Sequence, residues 1–417
     1  DIVTAAVDKF NKETKSGYTV NQVAIQNDTY KEKLVIAMSS GECPDMYSSW
    51  SGGPMYEYID SGFAQPIDDL LDQSDIKDKL LDAAIEQGSY KGHVYAIPYM
   101  NVILAGIFYN KDMFKQYGLE EPKTLADLEN ICATLKENGI TPFALANASK
   151  WTGSMYFMSL AARYGGLEPF QNAVAGTGKF TDDCFIKAGE KIQEWVNNGY
   201  FPDGVNSLSE DDGQAKQLMY QETAGMLLCG SWYTGTFQTD SEEFYQKIGW
   251  FPFPAIDDSD ADPTIQIGTV GDQFISFNCE GDKLAAAFEC ATDHLSDEVE
   301  DMIYSTGKIA PVKDAKDHIK DPVVKEIFDA AQEAPSIQLW YDQYLPTSVA
   351  SAHLDGLQEV FGLTKTPQEA QEEMQKAMDE YLSNKKSDSG AADDTAEEAT
   401  DDAAAEATDD AAADDAK

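Results

Sequence analysis

Arginine is almost absent from this chain, since only Arg163 among its 30 basic residues is an arginine. The planar guanidinium is the side chain that grips carboxylates and phosphates through two parallel hydrogen bonds. Basic residues are also few beside 74 acidic ones, and the net charge of −44 argues against binding to the phosphate backbone of nucleic acids. The composition therefore favours a neutral ligand, and we expect no nucleic-acid partner.

Motifs of common enzymes and of metal sites are missing as well. The sequence has no HExxH, GxSxG, GxxxxGK[ST] or GxGxxG segment, and nothing pairs a cysteine or serine with one of the four histidines. The six cysteines form no CxxC pair, so we expect buried free thiols, with disulfides in an exported protein as the alternative. The acidic run at 257–263 departs from the EF-hand pattern and predicts a solvated turn. The sequence predicts a protein that is not an enzyme and has no cofactor and no metal.

No run of about 20 apolar residues that could span a bilayer occurs in the sequence. A length of 417 residues is too great for a single core and predicts about two domains. The last 31 residues, 387–417, carry twelve acidic residues, one lysine and no aromatic or large aliphatic residue. Because such a segment cannot bury apolar surface and its charges repel, we expect a disordered acidic tether there.

Helical and strand patterns alternate over the rest of the chain. Residues 2–10 follow a helical stripe, 18–25 indicates a strand, and 30–39 indicates a helix that Gly41 ends. Further strands are expected at 44–49, 93–97, 102–109, 224–230 and 274–278, and further helices near 125–137, 186–198, 284–295, 323–333, 349–361 and 367–382. This order predicts an α/β fold with parallel sheets.

Four of the six tryptophans lie in predicted loops beside small or polar residues, namely Trp50, Trp151, Trp232 and Trp340. An indole belongs in a core or against a flat apolar surface, and the C–H face of a sugar ring is such a surface. Open α/β sheets bind ligands at the carboxyl ends of their strands, and Trp50 and Trp232 follow predicted strands. For each of these tryptophans alone the alternative is a packing residue, but their recurrence favours the walls of a ligand site.

Four segments of the chain resemble a known family: GECPDMYSSWSGG, YAIPYMNVILAGIFYNKDMF, ETAGMLLCGSW and PSIQLWYDQYLP. In this order and spacing they are similar to family 1 of the extracellular solute-binding proteins, which serve ABC importers of sugars. The resemblance covers residues 1–386 and implies a two-lobed, type II-like periplasmic-binding-protein fold with a hinge. It implies a first lobe from 1–110 and 268–320, and a second lobe from 111–267 and 321–386, the last segment including a helical crossover.

The same resemblance suggests which residues bind the ligand. The sugar-stacking aromatics of the family fall on Trp232 and Trp340, and aspartates in crossover segments could hold neighbouring hydroxyls through charge-assisted hydrogen bonds. For each aspartate a solvated surface carboxylate is the alternative. Trp195 and Trp250 are assigned to packing. The predicted ligand-binding residues are Trp50, Asn101, Trp151, Trp232, Asp272, Trp340 and Asp342.

Members of this family begin with a strand before the first helix, whereas this chain opens in the helix. We therefore expect a truncated start, which has also lost a signal peptide and a lipid anchor. We interpret the protein as a monomeric bacterial receptor, tethered outside the cytoplasmic membrane, that delivers a neutral di- or oligosaccharide to the transmembrane permease subunits of an ABC transporter. The alternatives are a glycosidase-like enzyme with two carboxylates about 5–10 Å apart and a sugar sensor for a membrane receptor.

Overall fold

The computed structural model describes residues 2–99, 102–271 and 273–385. The strands within these ranges are β1 (Met46–Ser49), β2 (Ser89–Tyr90), β3 (His93–Val94), β4 (Ala96–Pro98), β5 (Val102–Asn110), β6 (Thr141–Phe143), β7 (Ala224–Gly230), β8 (Ile248–Phe251), β9 (Gln266–Val270), β10 (Phe274–Phe277) and β11 (Ile337–Gln338). The helices are α1 (Ile2–Glu13), α2 (Asn27–Ser40), α3 (Gly53–Asp60), α4 (Asp68–Asp72), α5 (Ile76–Lys79), α6 (Asp82–Gln87), α7 (Lys111–Tyr117), α8 (Leu125–Glu137), α9 (Trp151–Gly165), α10 (Glu168–Ala175), α11 (Asp183–Asn197), α12 (Gln214–Tyr220), α13 (Tyr233–Asp240), α14 (Glu242–Tyr245), α15 (Gly281–Thr292), α16 (Asp297–Ser305), α17 (Pro322–Glu333), α18 (Tyr341–Tyr344), α19 (Thr347–Phe361) and α20 (367–385).

The described strands form two larger sheets and one hairpin. The three-stranded sheet has the order β1-β10-β4, and β10 is antiparallel to both neighbours. The six-stranded sheet follows β11-β9-β5-β7-β6, and β8 also pairs with β5. The long strand β5 is antiparallel to β7, β8 and β9, whereas β6 with β7 and β9 with β11 are parallel pairs. Strands β2 and β3 form the hairpin.

The fold is α/β, as the alternation of patterns predicts, but the expectation of parallel sheets is wrong. Apolar periodicity identifies helices and strands, whereas strand direction depends on where the chain returns to a sheet. Strand β10 returns beside β1 in the opposite direction, and β9 does the same beside β5. The three-stranded sheet is therefore antiparallel, and the six-stranded sheet is mixed and mainly antiparallel.

The strand predicted at 18–25 is also wrong, because this segment has no regular secondary structure. The backbone N–H of Val20 donates to Oδ1 of Asn11 at 2.8 Å, and its carbonyl accepts from Nδ2 of the same asparagine at 2.9 Å. Val23 is 73% exposed. Strand propensity becomes a strand only where a partner offers a ladder, and no described strand lies beside this segment.

Most other predicted elements agree with the structure to within a few residues at each end. The agreement arises because local sequence signals define where these elements begin and end. Thr124 and Asp127 form a capping box at the start of α8, and Gly41 ends α2 in the left-handed conformation at φ 74°. The side chain of Asn110 accepts from the N–H groups of Asp112 and Met113, which joins β5 directly to α7. The single strand predicted at 93–97 is divided between β3 and β4.

Helix α9 lies inside the fold, and all its residues from 152 to 163 are buried. A helix that is buried on all its faces belongs to the core of the fold. Arg163 donates from Nη1 to the carbonyl of Ile265 at 2.8 Å and from Nη2 to the carbonyl of Phe253 at 2.9 Å. The single arginine of the chain therefore joins the central helix to two backbone segments.

The packing roles assigned from the sequence are confirmed for Trp195 and Trp250, which are 0% and 2% exposed. The six cysteines are free, and all except Cys43 are buried, which confirms the free-thiol interpretation. Aspartates 257 and 258 are exposed in a turn, as predicted. No helix in the described ranges is long and apolar enough to cross a membrane. The predicted tether at 387–417 lies outside the described residues.

Candidate functional site

The tryptophans predicted to form a ligand site lie around one cavity of about 280 Å³. Five of the seven predicted residues line it, namely Trp50, Trp151, Trp232, Trp340 and Asp342. The other two, Asn101 and Asp272, lie outside the described residues. Further lining residues, which the sequence did not indicate, are Asn27, Lys31, Ser154, Met155, Met158, Glu210, Asp211, Gln273 and Gln343.

Three of the indoles form a continuous row, which we call the tryptophan row: Trp151, Trp232 and Trp340. The ring centroids of Trp151 and Trp232 are 5.8 Å apart, and those of Trp232 and Trp340 are 6.4 Å apart. Both pairs meet edge to face, at interplanar angles of 62° and 70°. The three rings come from separate segments of the chain, so the fold assembles an extended aromatic surface that no local segment contains.

The end of β7 explains the position of Trp232. A Cβ atom at Gly230 would lie 1.9 Å from Cζ3 of this indole, so only glycine allows the ring to fold back over the strand. The N–H of Ser231 donates to the carbonyl of Leu104 at 2.9 Å, and its hydroxyl accepts from the N–H of Leu104 at 3.3 Å. The GSW sequence thus fixes the strand end against β5 and places the indole at the cavity.

Two glycines after Trp50 bring its loop against the crossover segment that carries Trp340. A Cβ atom at Gly52 would lie 2.2 Å from the carbonyl oxygen of Gln343, and Gly52 has a φ of +112°. A Cβ atom at Gly53 would lie 2.1 Å from the carbonyl oxygen of Leu345, in the same crossover segment. Larger residues would separate the two backbones, so the SGG sequence determines how closely these two walls of the cavity approach.

One lysine lies among the carboxylates of the cavity. Nζ of Lys31 is 4.8 Å from the centroid of the Trp50 ring and 3.8 Å from Oδ2 of Asp342. The Asp342 side chain is only 11% exposed. Burial raises the pKa of this carboxyl, and the nearby Lys31 opposes the rise. With Glu210 and Asp211, the described part of the lining has three carboxylates to one lysine, which disfavours an anionic ligand.

The start of α2 contacts two other segments beside the cavity. The backbone N–H of Asp28 donates to Oδ2 of Asp211 at 3.2 Å. The Asp28 carboxylate accepts from Nε1–H of Trp151 at 3.3 Å. These bonds join the α2 terminus to α9 and to the loop before α12, so a shift of α2 would change the shape of the cavity.

Some lining residues could have been found from sequence and others could not. Ser154, Met155 and Met158 follow Trp151 at spacings of three, four and seven, which place them on the same face of a helix. Glu210 lies in an acidic run that resembles a solvated loop, and the chain has 74 acidic residues. Only the folded structure distinguishes this carboxylate from the many at the surface.

Glu210 has an unusual environment for a carboxyl group. Burial raises its pKa from 4.5 to about 7, and the carboxylates of Asp211 and Asp28 add to the rise. The hydroxyl of Tyr233 donates to Glu210 and, together with the charge of Lys216, opposes it. Because the folded state holds this proton more tightly than the unfolded state does, ionised Glu210 destabilises the fold above pH 7, and the effect disappears below about pH 4.5.

We expect Glu210→Gln to stabilise the ligand-free protein at pH 8 by about 1–2 kcal/mol, since the neutral amide keeps an oxygen for Tyr233 without a buried charge. Partial exposure of Glu210 to the cavity limits the effect, because water screens part of its charge. The gain should vanish near pH 4.5, where the native carboxyl is already protonated. Urea unfolding of both proteins at the two pH values measures the difference. Equal differences at both values would contradict the prediction.

Comparison with known proteins identifies the family. The family model for bacterial extracellular solute-binding proteins matches residues 1–292. This is a family of binding proteins and not of enzymes, in agreement with the prediction from missing motifs. The fold agrees too: a solved structure from work on xylan utilization by Caldanaerobius polysaccharolyticus is 28% identical with a TM-score of 0.82, and the match covers 90% of this chain and 95% of that one.

Two curated relatives show more limited similarity. An uncharacterized ABC transporter extracellular-binding protein of Pyrococcus horikoshii is 31% identical over 228 residues, which is 54% of this chain and 50% of the relative. A maltotriose-binding protein of Pyrococcus abyssi is 28% identical over 235 residues, which is 55% of this chain and 46% of the relative. The chain thus spans about half the length of the curated relatives it matches.

Proposed function

Because this chain belongs to the family of bacterial extracellular solute-binding proteins, we propose that it captures a neutral di- or oligosaccharide and delivers it to the permease subunits of an ABC transporter. The protein would act outside the cytoplasmic membrane, as a monomer. The observation that carries the proposal is the tryptophan row, which shares one cavity with Trp50 and several carboxylates. Indoles can stack on the C–H faces of sugar rings, and carboxylates accept hydrogen bonds from the hydroxyls.

The size of the cavity favours the short end of this range of ligands. Small-molecule pockets commonly enclose about 300–1,000 Å³, and this cavity, at about 280 Å³, lies at the lower limit. We therefore propose a disaccharide, or one end of a longer chain, as the part of the ligand that is enclosed. The maltotriose-binding relative and the structural match from xylan utilization support a carbohydrate of this kind.

A two-lobed architecture with a hinge completes the proposal. The three-stranded sheet uses strands from 46–98 and 274–277, and the six-stranded sheet uses strands from 102–270 and 337–338. This partition supports two lobes. It favours a first crossing just before β5 instead of the expected boundary at 110, and a return after β9 instead of at 268. The cavity lining includes residues next to both sheets, so relative motion of the lobes would open and close the site.

A thermal-shift screen against neutral disaccharides and short oligosaccharides tests the proposal. A ligand present at 100 times its dissociation constant should stabilise the native protein by about 2.7 kcal/mol. The matched control is the uronic-acid analogue of the best neutral sugar, which we expect to bind at least about tenfold more weakly because of the cavity carboxylates. Chromatography after incubation should recover the sugar unchanged. Cleavage would favour the glycosidase alternative, and stabilisation by no sugar in the panel would refute the proposal.

A further inference from the structure

A serine and a histidine that are far apart in the sequence form a buried pair at the cavity. Ser154 belongs to α9 and lines the cavity, and His353 belongs to α19 behind it. Oγ of Ser154 lies 2.7 Å from Nε2 of His353. Both residues are buried, and within the described residues the serine hydroxyl forms no other hydrogen bond. The pair therefore connects the cavity lining to the core.

The surroundings of His353 are aromatic and apolar. The imidazole centroid lies 5.4 Å from the ring of Phe157 and 5.3 Å from the ring of Tyr341. Nδ1 is buried and has no hydrogen-bond partner among the described residues. Burial lowers the pKa of this histidine to about 3, so the ring is neutral at physiological pH and carries one N–H.

The position of that proton decides what the serine can do. If Nδ1 carried the proton, this buried N–H donor would have no acceptor, and the serine hydroxyl would donate its hydrogen bond to Nε2. If Nε2 carries it, the histidine donates to Oγ and Nδ1 keeps only an unused lone pair. An unpaired buried donor is the rarer case in proteins. The second tautomer therefore fits better, and it leaves the serine O–H proton available.

We propose that His353 is a positioning residue that holds the hydroxyl of Ser154 as a hydrogen-bond donor to an oxygen of the ligand that can only accept, such as a ring, glycosidic or carbonyl oxygen. The inference rests on the proposed binding of a sugar in this cavity. An ionised carboxylate can accept from a ligand hydroxyl but cannot donate to an oxygen without a proton, whereas a serine hydroxyl held in this way can donate at any pH. A fixed donor among the cavity carboxylates would distinguish ligands by where such an oxygen lies.

A hydrolytic serine–histidine pair would use the opposite arrangement. There the imidazole accepts the serine proton, and a third group orients the other ring nitrogen as a donor. Nδ1 of His353 has no such partner among the described residues. The geometry therefore matches a binding role.

Nitrogen-15 NMR of the ligand-free, histidine-labelled protein tests the tautomer without any ligand. The chain has four histidines. The two ring-nitrogen resonances that disappear from the spectrum of His353→Gln belong to His353. We expect the proton on Nε2. A proton on Nδ1 would overturn the inference even if a sugar binds, so this result is distinct from failure of the proposed function.

Calorimetric titration with the best neutral sugar tests the role in binding. Ser154→Ala should weaken binding about three- to tenfold, the effect of one lost hydrogen bond. The affinity of His353→Gln should stay within about twofold of the native affinity, because a glutamine amide can donate an N–H to the serine oxygen as the histidine does. His353→Leu should resemble Ser154→Ala, since the free hydroxyl can turn back to the helix carbonyl four residues earlier.

The matched control is Ser159→Ala, which removes another buried hydroxyl from α9 that does not line the cavity. It should leave affinity unchanged. The double variant of Ser154→Ala with His353→Leu should bind no more weakly than Ser154→Ala alone, because both changes remove the same bond. Native affinity in Ser154→Ala, or equal losses in Ser154→Ala and Ser159→Ala, would refute the proposal. If His353→Leu does not fold, the other variants still decide.

Discussion

Trp195→Ala should lower the free energy of unfolding by about 3–5 kcal/mol, as expected for the truncation of a large core side chain. The indole is fully buried and stacks on Phe143 at a centroid distance of 5.5 Å and an angle of 25°. Its Nε1–H donates to Oε1 of Glu129 at 2.9 Å. Removing the ring leaves a cavity in the core and removes one of the two hydrogen bonds to Oε1 of Glu129, which also accepts from Nζ of Lys191 at 2.8 Å. Both effects lower the stability of the fold.

Urea unfolding of the ligand-free protein measures this loss, and Trp195→Phe is the matched control. Phenylalanine keeps a ring against Phe143 but cannot donate to Glu129, so we expect a smaller loss of about 1–2 kcal/mol. Trp195 does not line the cavity, so sugar affinity in the folded fraction should not change. A loss below about 1 kcal/mol for the alanine variant would contradict the packing argument.

The sequence predicts the role of a tryptophan well where local context is decisive. Trp195 lies on the apolar face of a helix pattern, and periodicity alone assigns it to the core. Trp232 follows a glycine and a serine at a strand end, and this context indicates the cavity. Local signals also define most helix ends, because capping involves neighbours in the chain. These are the parts of the fold that depend on short-range chemistry.

Other features depend on contacts that a single sequence does not reveal. The direction of β9 and β10 depends on the path by which the chain returns to each sheet, so the parallel expectation is wrong. Ser154 and His353 are 199 positions apart, and nothing near either residue indicates the other. Glu210 differs from surface carboxylates only through burial against Tyr233 and nearby charges. Long-range pairing and local desolvation are therefore what the structure adds to the site.

Trp232→Ala and Trp340→Ala should each weaken sugar binding by roughly tenfold, since an aromatic contact contributes on the order of 1–2 kcal/mol. The two variants should differ in stability. Trp232 is partly exposed to the cavity, whereas Trp340 is only 3% exposed, so Trp340→Ala should also lower the free energy of unfolding. Titration calorimetry gives the affinities, and urea unfolding without ligand gives the stabilities.

The double variant tests whether the tryptophan row acts as one surface. The two rings touch at a centroid distance of 6.4 Å, so loss of one indole lets its neighbour shift, and the combined loss should fall short of the hundredfold product of the single losses. Trp195→Ala is the control for both, because it should lose stability without losing affinity. If both cavity variants keep native affinity, or if all three variants lose only stability, the indoles are packing residues and the main physical support for a sugar ligand is gone.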